Sequence, residues 1–383
     1  MMFAHLSDTH LGFRQYGIYE REVDFYRAFE KAVAAIIRKK PDFVIHSGDL
    51  FDYPKPPPRA LWVAQRCFSK LREKGIPVYA ITGNHDLLMR KGAMPPQALY
   101  ADMGVRLLTE EDPFAVHEGV LIAGLPYRPK SHASLLKDNL ATLSKKAGGY
   151  TKSVLVMHQG IDRYMRHGSD MSIGDIPGNF SYYAMGHIHA RILESFGKGW
   201  LAYPGSTELW SSSEYDDGRK NGKGFYLVDL GGDMPQVQKV DIEPERNIIR
   251  KALKAAAADS EISKIAAEIS ALSAKPLLYL DVSGDALERP TIQDAVNSRL
   301  SPHALSVRVS YSAGREDKLQ TKPFELQQID DVIRETLGGG RKADLASLLF
   351  RHLSEGESEQ AMKEAEQFFE SVKKGKGEGG DSG

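Results

Sequence analysis

Seven side chains that could bind divalent cations occur in five short motifs in the first half of this 383-residue chain. Carboxylate and amide oxygens suit hard divalent cations, and imidazole suits manganese, iron or zinc. Seven ligands can hold two ions side by side, which is a device for cleaving phosphate esters. The pattern therefore predicts a two-metal site for phosphate-ester chemistry, with these ligands: Asp8, His10, Asp49, Asn84, His158, His187 and His189.

Two positions in these motifs suggest further roles. Asp49 lies between the two groups of ligands in chain order, so we predict that its carboxylate bridges the two ions. His85 adjoins the ligand Asn84, and it could face the phosphate while Asn84 faces the metal, which makes His85 a candidate general acid or transition-state stabiliser. Any one motif is weak by itself, and a site that binds metal without turnover stays open.

The elements that must position these residues are strands. Four of the five motifs begin where an apolar run ends, and sites in open α/β sheets form outside the carboxyl ends of strands. The glycines at 48, 83 and 186 fit sharp turns beside a crowded site. Five segments could thus meet at one rim, after strands expected at 2–6, 43–45, 78–81, 154–157 and 182–185.

The overall pattern predicts an α/β (α+β) fold in which a two-layered β-sandwich is flanked by helices. Helices are expected at 20–39, 59–74 and 132–146, and further strands at 120–123, 199–203 and 224–230. We expect a first domain at 1–232 and a small α+β capping domain at 233–312, with helices at 252–273 and 290–299 and strands at 277–282 and 304–311. A linker at 313–340, a helical segment at 341–373 and a disordered tail at 374–383 follow.

The helical segment carries two apolar stripes that it cannot bury alone. It could dock on the parent domain or bind a partner, and the preceding linker favours a partner. The partner-binding candidates are Leu345, Leu348, Leu349, Leu353, Phe368 and Phe369.

Composition sets further bounds. Net charge is −1, so nucleic-acid binding would need a local basic patch. The single cysteine, Cys67, excludes an intramolecular disulfide and a sulfur-rich zinc site. The chain has no signal peptide and no apolar run long enough to cross a bilayer, so we expect a cytoplasmic protein with no membrane partner.

Basic residues follow the ligand motifs, and aromatic residues lie among them. On a shared rim they would favour a polyanionic substrate such as DNA, although ordinary solvated charge explains most of them singly. The candidates for DNA binding are Arg14, Tyr16, Lys55, Arg59, Arg90, Lys91, Arg163 and Arg166.

The series DTH, GD, GNHD, H and GHIH resembles the calcineurin-like metallophosphoesterase superfamily over residues 1–230. HLSDTHLG at 5–12 and HSGDLFD at 46–52 are similar to the Mre-eleven/SbcD DNA-repair nucleases, archaeal branch. The resemblance implies two manganese ions per subunit, with magnesium, iron and zinc left open. It also implies 3′–5′ exonuclease and single-strand endonuclease activity in double-strand-break repair, a homodimer through helices after GD and GNHD, and a Rad-fifty/SbcC-type coiled-coil ATPase partner.

The resemblance also implies a division of the ligands. One ion would take Asp8, His10, Asp49 and His189, and the other would take Asp49, Asn84, His158 and His187. His85 matches the catalytic histidine of the family. The chain departs at Asp52, where many members have a second histidine. We predict that the Asp52 carboxylate pairs with His85 and fixes its tautomer, while a solvated loop aspartate is the alternative.

Two other functions fit part of the sequence. A phosphatase or cyclic-nucleotide phosphodiesterase would use the same metals, but it would leave the cap and the helical segment unexplained. A mainly structural subunit that bridges DNA and an ATPase would not need a complete ligand set.

Overall fold

The computed structural model describes residues 1–87, 94–165, 168–284, 289–313, 333, 340–354, 362–365 and 368. By the contacts between residues, the chain divides into two units. The larger unit contains residues 1–128, 134–160 and 174–315, and the smaller unit contains 129–133, 161–173 and 316–383.

The first sheet of the larger unit has six strands. Strands β1 to β4 run parallel, and β11 and β12 pair antiparallel at the β1 edge. In spatial order the strands are Gln236–Asp241 (β12), Gly224–Asp229 (β11), Met2–Leu6 (β1), Phe43–His46 (β2), Val78–Ala80 (β3) and Val105–Leu107 (β4).

The second sheet also has six strands. Its centre, β6-β7-β8-β10, is parallel, and its two edge strands pair antiparallel. In spatial order the strands are Phe114–His117 (β5), Val120–Leu125 (β6), Ser153–His158 (β7), Tyr182–Gly186 (β8), Gly199–Tyr203 (β10) and Ile192–Phe196 (β9).

The two sheets pack face to face through one apolar core. Phe3 of β1 stacks on Phe43 of β2 with ring centroids 5.0 Å apart, and it meets the edge of Tyr182 of β8 at 5.3 Å. A second core fills the space between the first sheet and helices Tyr19–Lys39 (α1) and Pro58–Glu73 (α2). Helix Ala133–Ala147 (α3) follows β6. The predicted sandwich with flanking helices is confirmed.

Helix α1 shows why these helices form where the pattern placed them. Tyr26, Phe29, Val33 and Ile36 recur at three- and four-residue spacing and are buried against the sheet. The helix ends where Lys40 adopts a left-handed conformation with φ 53°, which stops the hydrogen-bond ladder.

A third sheet follows in the larger unit. Its parallel strands are Ile248–Lys254 (β13), Leu277–Gly284 (β14) and Ser306–Ala313 (β15). Helices Ala258–Ser270 (α5) and Arg289–Ala295 (α6) share an apolar core with its strands. This is the α+β segment expected after the first domain. The chain from 252 to 254 is strand and not the start of a helix, because its backbone pairs with β14 although alanine-rich sequence favours helix.

The turn expected to end the first domain lies inside a hairpin. Strand β12 pairs with β11 over Gly224 to Asp241, so the first sheet extends beyond the predicted boundary at 232/233. The domain ranges themselves stay a prediction.

The short helix Tyr215–Asn221 of the larger unit is α4. The smaller unit contains helix Arg341–Ser354, which is α7. Ala343 and Ser347 are buried in it. Leu345, Leu348 and Leu349 are half-buried, as is Phe368. The side chain of Leu353 and all of Phe369 lie outside the described residues. None of the helices described is long and apolar enough to span a bilayer.

Candidate metal centre

All seven predicted ligands lie at the carboxyl ends of neighbouring strands. Asp8 and His10 follow β1, Asp49 follows β2, and Asn84 follows β3 of the first sheet. His158 ends β7 of the second sheet, and His187 and His189 follow β8. Because these strands are parallel neighbours within each sheet and the sheets are stacked, five separate segments meet at one edge of the sandwich.

The backbone at this edge is strained. Asp8, His10, Asp49 and His187 have φ values of 52°, 44°, 53° and 92°, which non-glycine residues rarely adopt. Each such residue costs about 1–3 kcal/mol, and such strain persists only where the surrounding structure over-determines it. Four of the seven ligands are thus held in orientations that an ordinary strand end would not provide.

Two glycines beside Asp49 allow its close packing. A Cβ on Gly83 would lie 2.1 Å from Oδ1 of Asp49, and a Cβ on Gly48 would lie 2.4 Å from Nδ1 of His158. Gly48 also has φ 96°. A side chain at either position would therefore displace a candidate ligand.

The first group of ligands surrounds His10. Its Nε2 lies 3.0 Å from Nε2 of His189 and 3.9 Å from Oδ2 of Asp49. Oδ1 of Asp8 lies 3.8 Å from Nε2 of His189. These residues match the first set that the resemblance implies.

The second group surrounds Asn84. Its Oδ1 lies 3.1 Å from Nε2 of His158 and 2.9 Å from Nδ1 of His187. Nε2 of His158 lies 3.2 Å from Oδ2 of Asp49. The same oxygen of Asp49 thus lies between both groups, where a bridging carboxylate belongs.

The tautomers fit cation binding. The Nδ1 atoms of His10, His158 and His189 lie 3.1, 2.8 and 2.9 Å from the Asp52 carboxylate, the Ser47 carbonyl and the Glu214 carboxylate. Each acceptor accepts a hydrogen bond from an Nδ1–H, so Nε2 is the ring nitrogen that faces inward. The Nε2 atoms of His10 and His189 are 3.0 Å apart, and two ring nitrogens this close need a proton or a cation between them. The oxygen and nitrogen donors suit manganese, iron or zinc.

The charges at the site are strongly coupled. Burial tends to lower the pKa of His158, but the Asp49 carboxylate raises it to about 9. Burial tends to raise the pKa of Asp49, but His158 and His10 hold it well below its usual range. Burial lowers the pKa of His10. The site therefore favours an ionised Asp49 with positive charge beside it.

His85 lies against the same carboxylate. Its backbone N–H donates to Oδ1 of Asp49 at 2.9 Å, and its side chain is 30% exposed. Its Nδ1 lies 3.0 Å from the backbone carbonyl of Asp52. A carbonyl only accepts, so Nδ1 carries the proton and Nε2 is left for another group.

The geometry changes the predicted role of Asp52. Its carboxylate Oδ1 lies 3.1 Å from Nδ1 of His10 and accepts the Trp210 indole N–H at 3.1 Å, but it lies 3.7 Å from Nδ1 of His85. Asp52 is buried, so it is not a solvated loop aspartate. It fixes His85 through its main chain, while its carboxylate orients the candidate ligand His10.

Sequence reasoning missed four supporting residues. Trp210 lies 5.9, 5.6 and 6.1 Å from the rings of His10, His189 and His85. Glu214 accepts from His189 and from Lys223 Nζ, at 2.7 Å for the lysine. The pattern Ser211-x-x-Glu214 is a capping box that could have drawn attention to this loop.

The other two are Tyr127, which supports the second group of candidate ligands, and Asp86, which supports the loop that carries Asn84. Tyr127 stacks on His187 with ring centroids 5.9 Å apart. Asp86 is buried and accepts the backbone N–H groups of Gly83, Leu50 and Phe51. Burial and the nearby Asp49 raise the pKa of Asp86 to about 7. Asp86 ties the GD loop to the GNHD loop.

The predicted DNA-binding residues occupy different settings. Arg14, Lys55 and Arg59 are exposed, but Arg14 pairs with Glu22 at 2.7 Å and Arg59 contacts the Tyr19 hydroxyl. The Tyr16 hydroxyl lies 2.8 Å from that of Tyr279 in β14. Arg163 is exposed in the smaller unit. Arg90, Lys91 and Arg166 lie outside the described residues.

Sequence comparison relates this chain to known proteins. The calcineurin-like phosphoesterase family matches residues 1–191. The DNA double-strand break repair protein Mre11 of Methanocaldococcus jannaschii is 45% identical over 63% of this chain and 67% of its own length. The Mre11 proteins of Thermoplasma acidophilum and Saccharolobus solfataricus are 32% and 30% identical, each over 95% of this chain and 97% of the relative. The similarity to these two therefore spans nearly the whole chain.

Proposed function

This chain belongs to the family of the DNA double-strand break repair protein Mre11, and from this premise we propose that it is a two-metal DNA nuclease. It is a metal-dependent phosphodiesterase of the calcineurin-like type. The observation that carries the proposal is the position of Asp49 Oδ2, which lies 3.2 Å from His158 and 3.9 Å from His10. We propose two manganese ions per subunit, 3′–5′ exonuclease and single-strand endonuclease activity, and a role in processing breaks for recombinational repair.

The proposed ligand sets follow the two groups. Asp8, His10, Asp49 and His189 would hold one ion, and Asp49, Asn84, His158 and His187 would hold the other. Two bound ions supply Lewis-acid activation of the phosphodiester and of an attacking water. The buried acceptors behind His10, His158 and His189 hold each Nδ1–H on the outer side of the ring, so that Nε2 is the nitrogen that would face a bound ion.

His85 is the proposed catalytic residue. Its Nδ1 is held by the Asp52 carbonyl and its side chain is part exposed, so Nε2 can reach a substrate at the edge of the site. A protonated His85 would stabilise charge that develops on the phosphodiester or on the leaving oxygen. Asp52 would act as a positioning residue for both His85 and His10.

DNA would approach over the loops that follow the ligand motifs. Lys55 and Arg59 are exposed beside them and offer positive charge to the phosphate backbone. Arg14 contributes less than the sequence suggests, because Glu22 already pairs with it. Binding should weaken steeply with salt, and a flat response would contradict phosphate contact.

Two protein partners are proposed. A Rad-fifty/SbcC-type coiled-coil ATPase would bind the 341–373 segment, where Leu345, Leu348 and Leu349 are only half-buried. A homodimer would form through the segments that follow the GD and GNHD motifs. Trp62 of α2 and Leu99 are each 52% exposed there, which supports a contact surface.

Nuclease assays with metal titration separate this proposal from its alternatives. The purified protein would be incubated with manganese and, in separate assays, with labelled linear DNA, circular single-stranded DNA or small phosphate esters as substrate. We expect digestion of DNA that Asn84→Ala and His85→Ala abolish, with metal binding lost in the first variant and kept in the second. Turnover of small esters alone would support a phosphatase. Tight DNA binding without turnover would support a structural subunit.

A further inference from the structure

A buried relay of hydrogen bonds joins the third sheet to the metal centre. We propose that Arg246, which lies outside the metal site, is a positioning residue for it through the relay of Arg246, Asp24, Arg21 and Gln15. This inference rests on the proposed two-metal site. It concerns how the ligands are held rather than which reaction follows.

The metal end of the relay is the loop 206–214. Glu214 orients His189 at 2.9 Å, and the indole N–H of Trp210 donates to Asp52, which in turn orients His10. Phe13 stacks on Trp210 at 5.0 Å and keeps the indole in place. One loop therefore holds two candidate ligands of the first ion, and its position sets their geometry.

The middle of the relay donates hydrogen bonds to backbone carbonyls of this loop. Nη2 of Arg21 donates to the Leu209 carbonyl at 2.9 Å, and the Gln15 amide donates to the Trp210 carbonyl at 2.8 Å. Nε of Arg21 also donates to Gln15 at 2.8 Å. Arg21 is completely buried and Gln15 is 3% exposed, so water does not compete for these bonds.

The far end of the relay reaches the third sheet. Nη1 of Arg21 donates to Asp24 at 2.6 Å, and Nη2 of Arg246 donates to the other oxygen of Asp24 at 2.8 Å. Nη1 of Arg246 donates to the Lys275 carbonyl at 2.8 Å, two residues before β14. Arg246 itself lies in the connection between β12 and β13. It therefore ties the third sheet to helix α1 at the point where α1 holds the loop.

Burial of charge strengthens the bonds of the relay. Asp24 is completely buried between two guanidinium groups, so removing one leaves a buried carboxylate with only one of its two cationic partners. A cleft of about 330 Å³ lies beside Arg246 and is also lined by Glu208 and Lys223. Side chains do not fill this space, and the hydrogen bonds of the relay join the connection to the loop through helix α1.

A second ion pair nearby provides a matched control. Arg27 and Lys31 of α1 bind Glu245 at 3.1 and 2.6 Å, and so they also join α1 to the connection before β13. Their side chains are 58% and 42% exposed. The contacts recorded for Arg27 and Lys31 within the described residues do not reach the loop 206–214, and exposed pairs contribute little.

The test compares Arg246→Gln with Arg27→Gln in the full chain. Manganese affinity is measured by calorimetry, and kcat and KM are measured on bis(p-nitrophenyl) phosphate, which is too small to span the site and the third sheet. We expect Arg246→Gln to weaken manganese binding about tenfold and to lower kcat with KM unchanged. Arg27→Gln should stay within twofold of the parent on both measures.

Equal manganese affinity and kcat in the two variants would overturn the relay. Arg246→Lys keeps the charge beside Asp24 but makes fewer hydrogen bonds, so it should give an intermediate affinity and serves if Arg246→Gln fails to fold, with Arg27→Lys as its control. Parent-like affinity in Arg246→Lys would then overturn the proposal. Because metal binding is read directly, a parent protein that binds two manganese ions but cleaves no DNA would contradict the nuclease and leave the relay intact.

Discussion

At the scale of single residues, the metal centre depends on acceptors placed behind the ligands. Asp52, Ser47 and Glu214 each accept a hydrogen bond from an Nδ1–H, and the Nε2 atoms of His10, His158 and His189 face inward as a result. Histidine type and spacing in the sequence identify the ligands, but they do not say which nitrogen faces the metal. That choice depends on neighbours that are 25 to 111 residues away in the chain.

Asp52→Asn should weaken the site through His10. An amide at this position keeps the size of the side chain but removes the charge that favours the Nδ1–H tautomer. We expect a 10- to 100-fold loss in manganese affinity, in turnover or in both. Calorimetry and steady-state kinetics on DNA would measure this loss. Parent-like values for both would mean that the Asp52 carboxylate does not support His10.

Two buried histidines behind the site should make folding stability depend on pH. Burial lowers the pKa of His5 to about 3 and that of His46 to about 4, whereas both titrate near 6.5 in the unfolded chain. Below pH 6.5 the unfolded chain therefore gains protons that the folded protein excludes. The contribution of these two histidines to the free energy of unfolding is complete above pH 6.5. It falls as the pH drops toward 3–4, by up to about 1.4 kcal/mol per pH unit for each histidine.

His5→Asn removes one of these two protons. Between pH 7 and pH 5 the free energy of unfolding of the metal-free protein should fall by about 2 kcal/mol less in the variant than in the parent. Urea titrations at both pH values measure the difference. The same pH dependence in both proteins would show that folding does not change the protonation of His5 over this pH range.

At the scale of elements, the ends of strands matter more than their interiors. The apolar runs predict β1, β2, β3, β7 and β8 to within two residues, because a buried strand needs a continuous apolar sequence. The sequence pattern does not predict the polar or mixed strands β9, β12 and β13, because their burial is partial and their pairing partners decide their structure. The role of the loop 206–214 is not predicted either, because it comes from contacts with residues that are distant in the chain.

Helix α7 should contribute apolar contacts to the ATPase partner. Leu345 and Leu349 are four residues apart on one face and are half-buried. The double variant Leu345→Asp and Leu349→Asp should reduce association with the coiled-coil ATPase at least tenfold, because charge at the centre of an apolar interface is costly. Pull-down or calorimetry with the purified ATPase would measure the loss.

A matched variant separates this effect from a general change in charge. Lys342→Glu alters an exposed residue of the same helix and should leave association within twofold. Equal binding by the double leucine variant and by Lys342→Glu would contradict the proposed interface.

At the scale of the whole molecule, metal binding and folding should be linked. The ligands come from five segments of two sheets and do not approach one another in the unfolded chain. Manganese at 100 times its dissociation constant should therefore raise the free energy of unfolding by about 2.7 kcal/mol for each ion bound. Chelation should reverse the gain, and Asn84→Ala should reduce it. Denaturant titrations with and without manganese check this, and no shift in the parent would contradict binding at the site.

The sequence by itself determined the candidate ligands, the strands that carry them and the class of chemistry, because residue type and apolar runs are local properties. Only the tertiary structure decided that one oxygen of Asp49 lies between both groups, that the Asp52 carboxylate serves His10 while its carbonyl holds His85, and that loop 206–214 is tied to Arg246. These facts depend on distances between atoms far apart in the chain, which only the packing of the sheets and their loops sets.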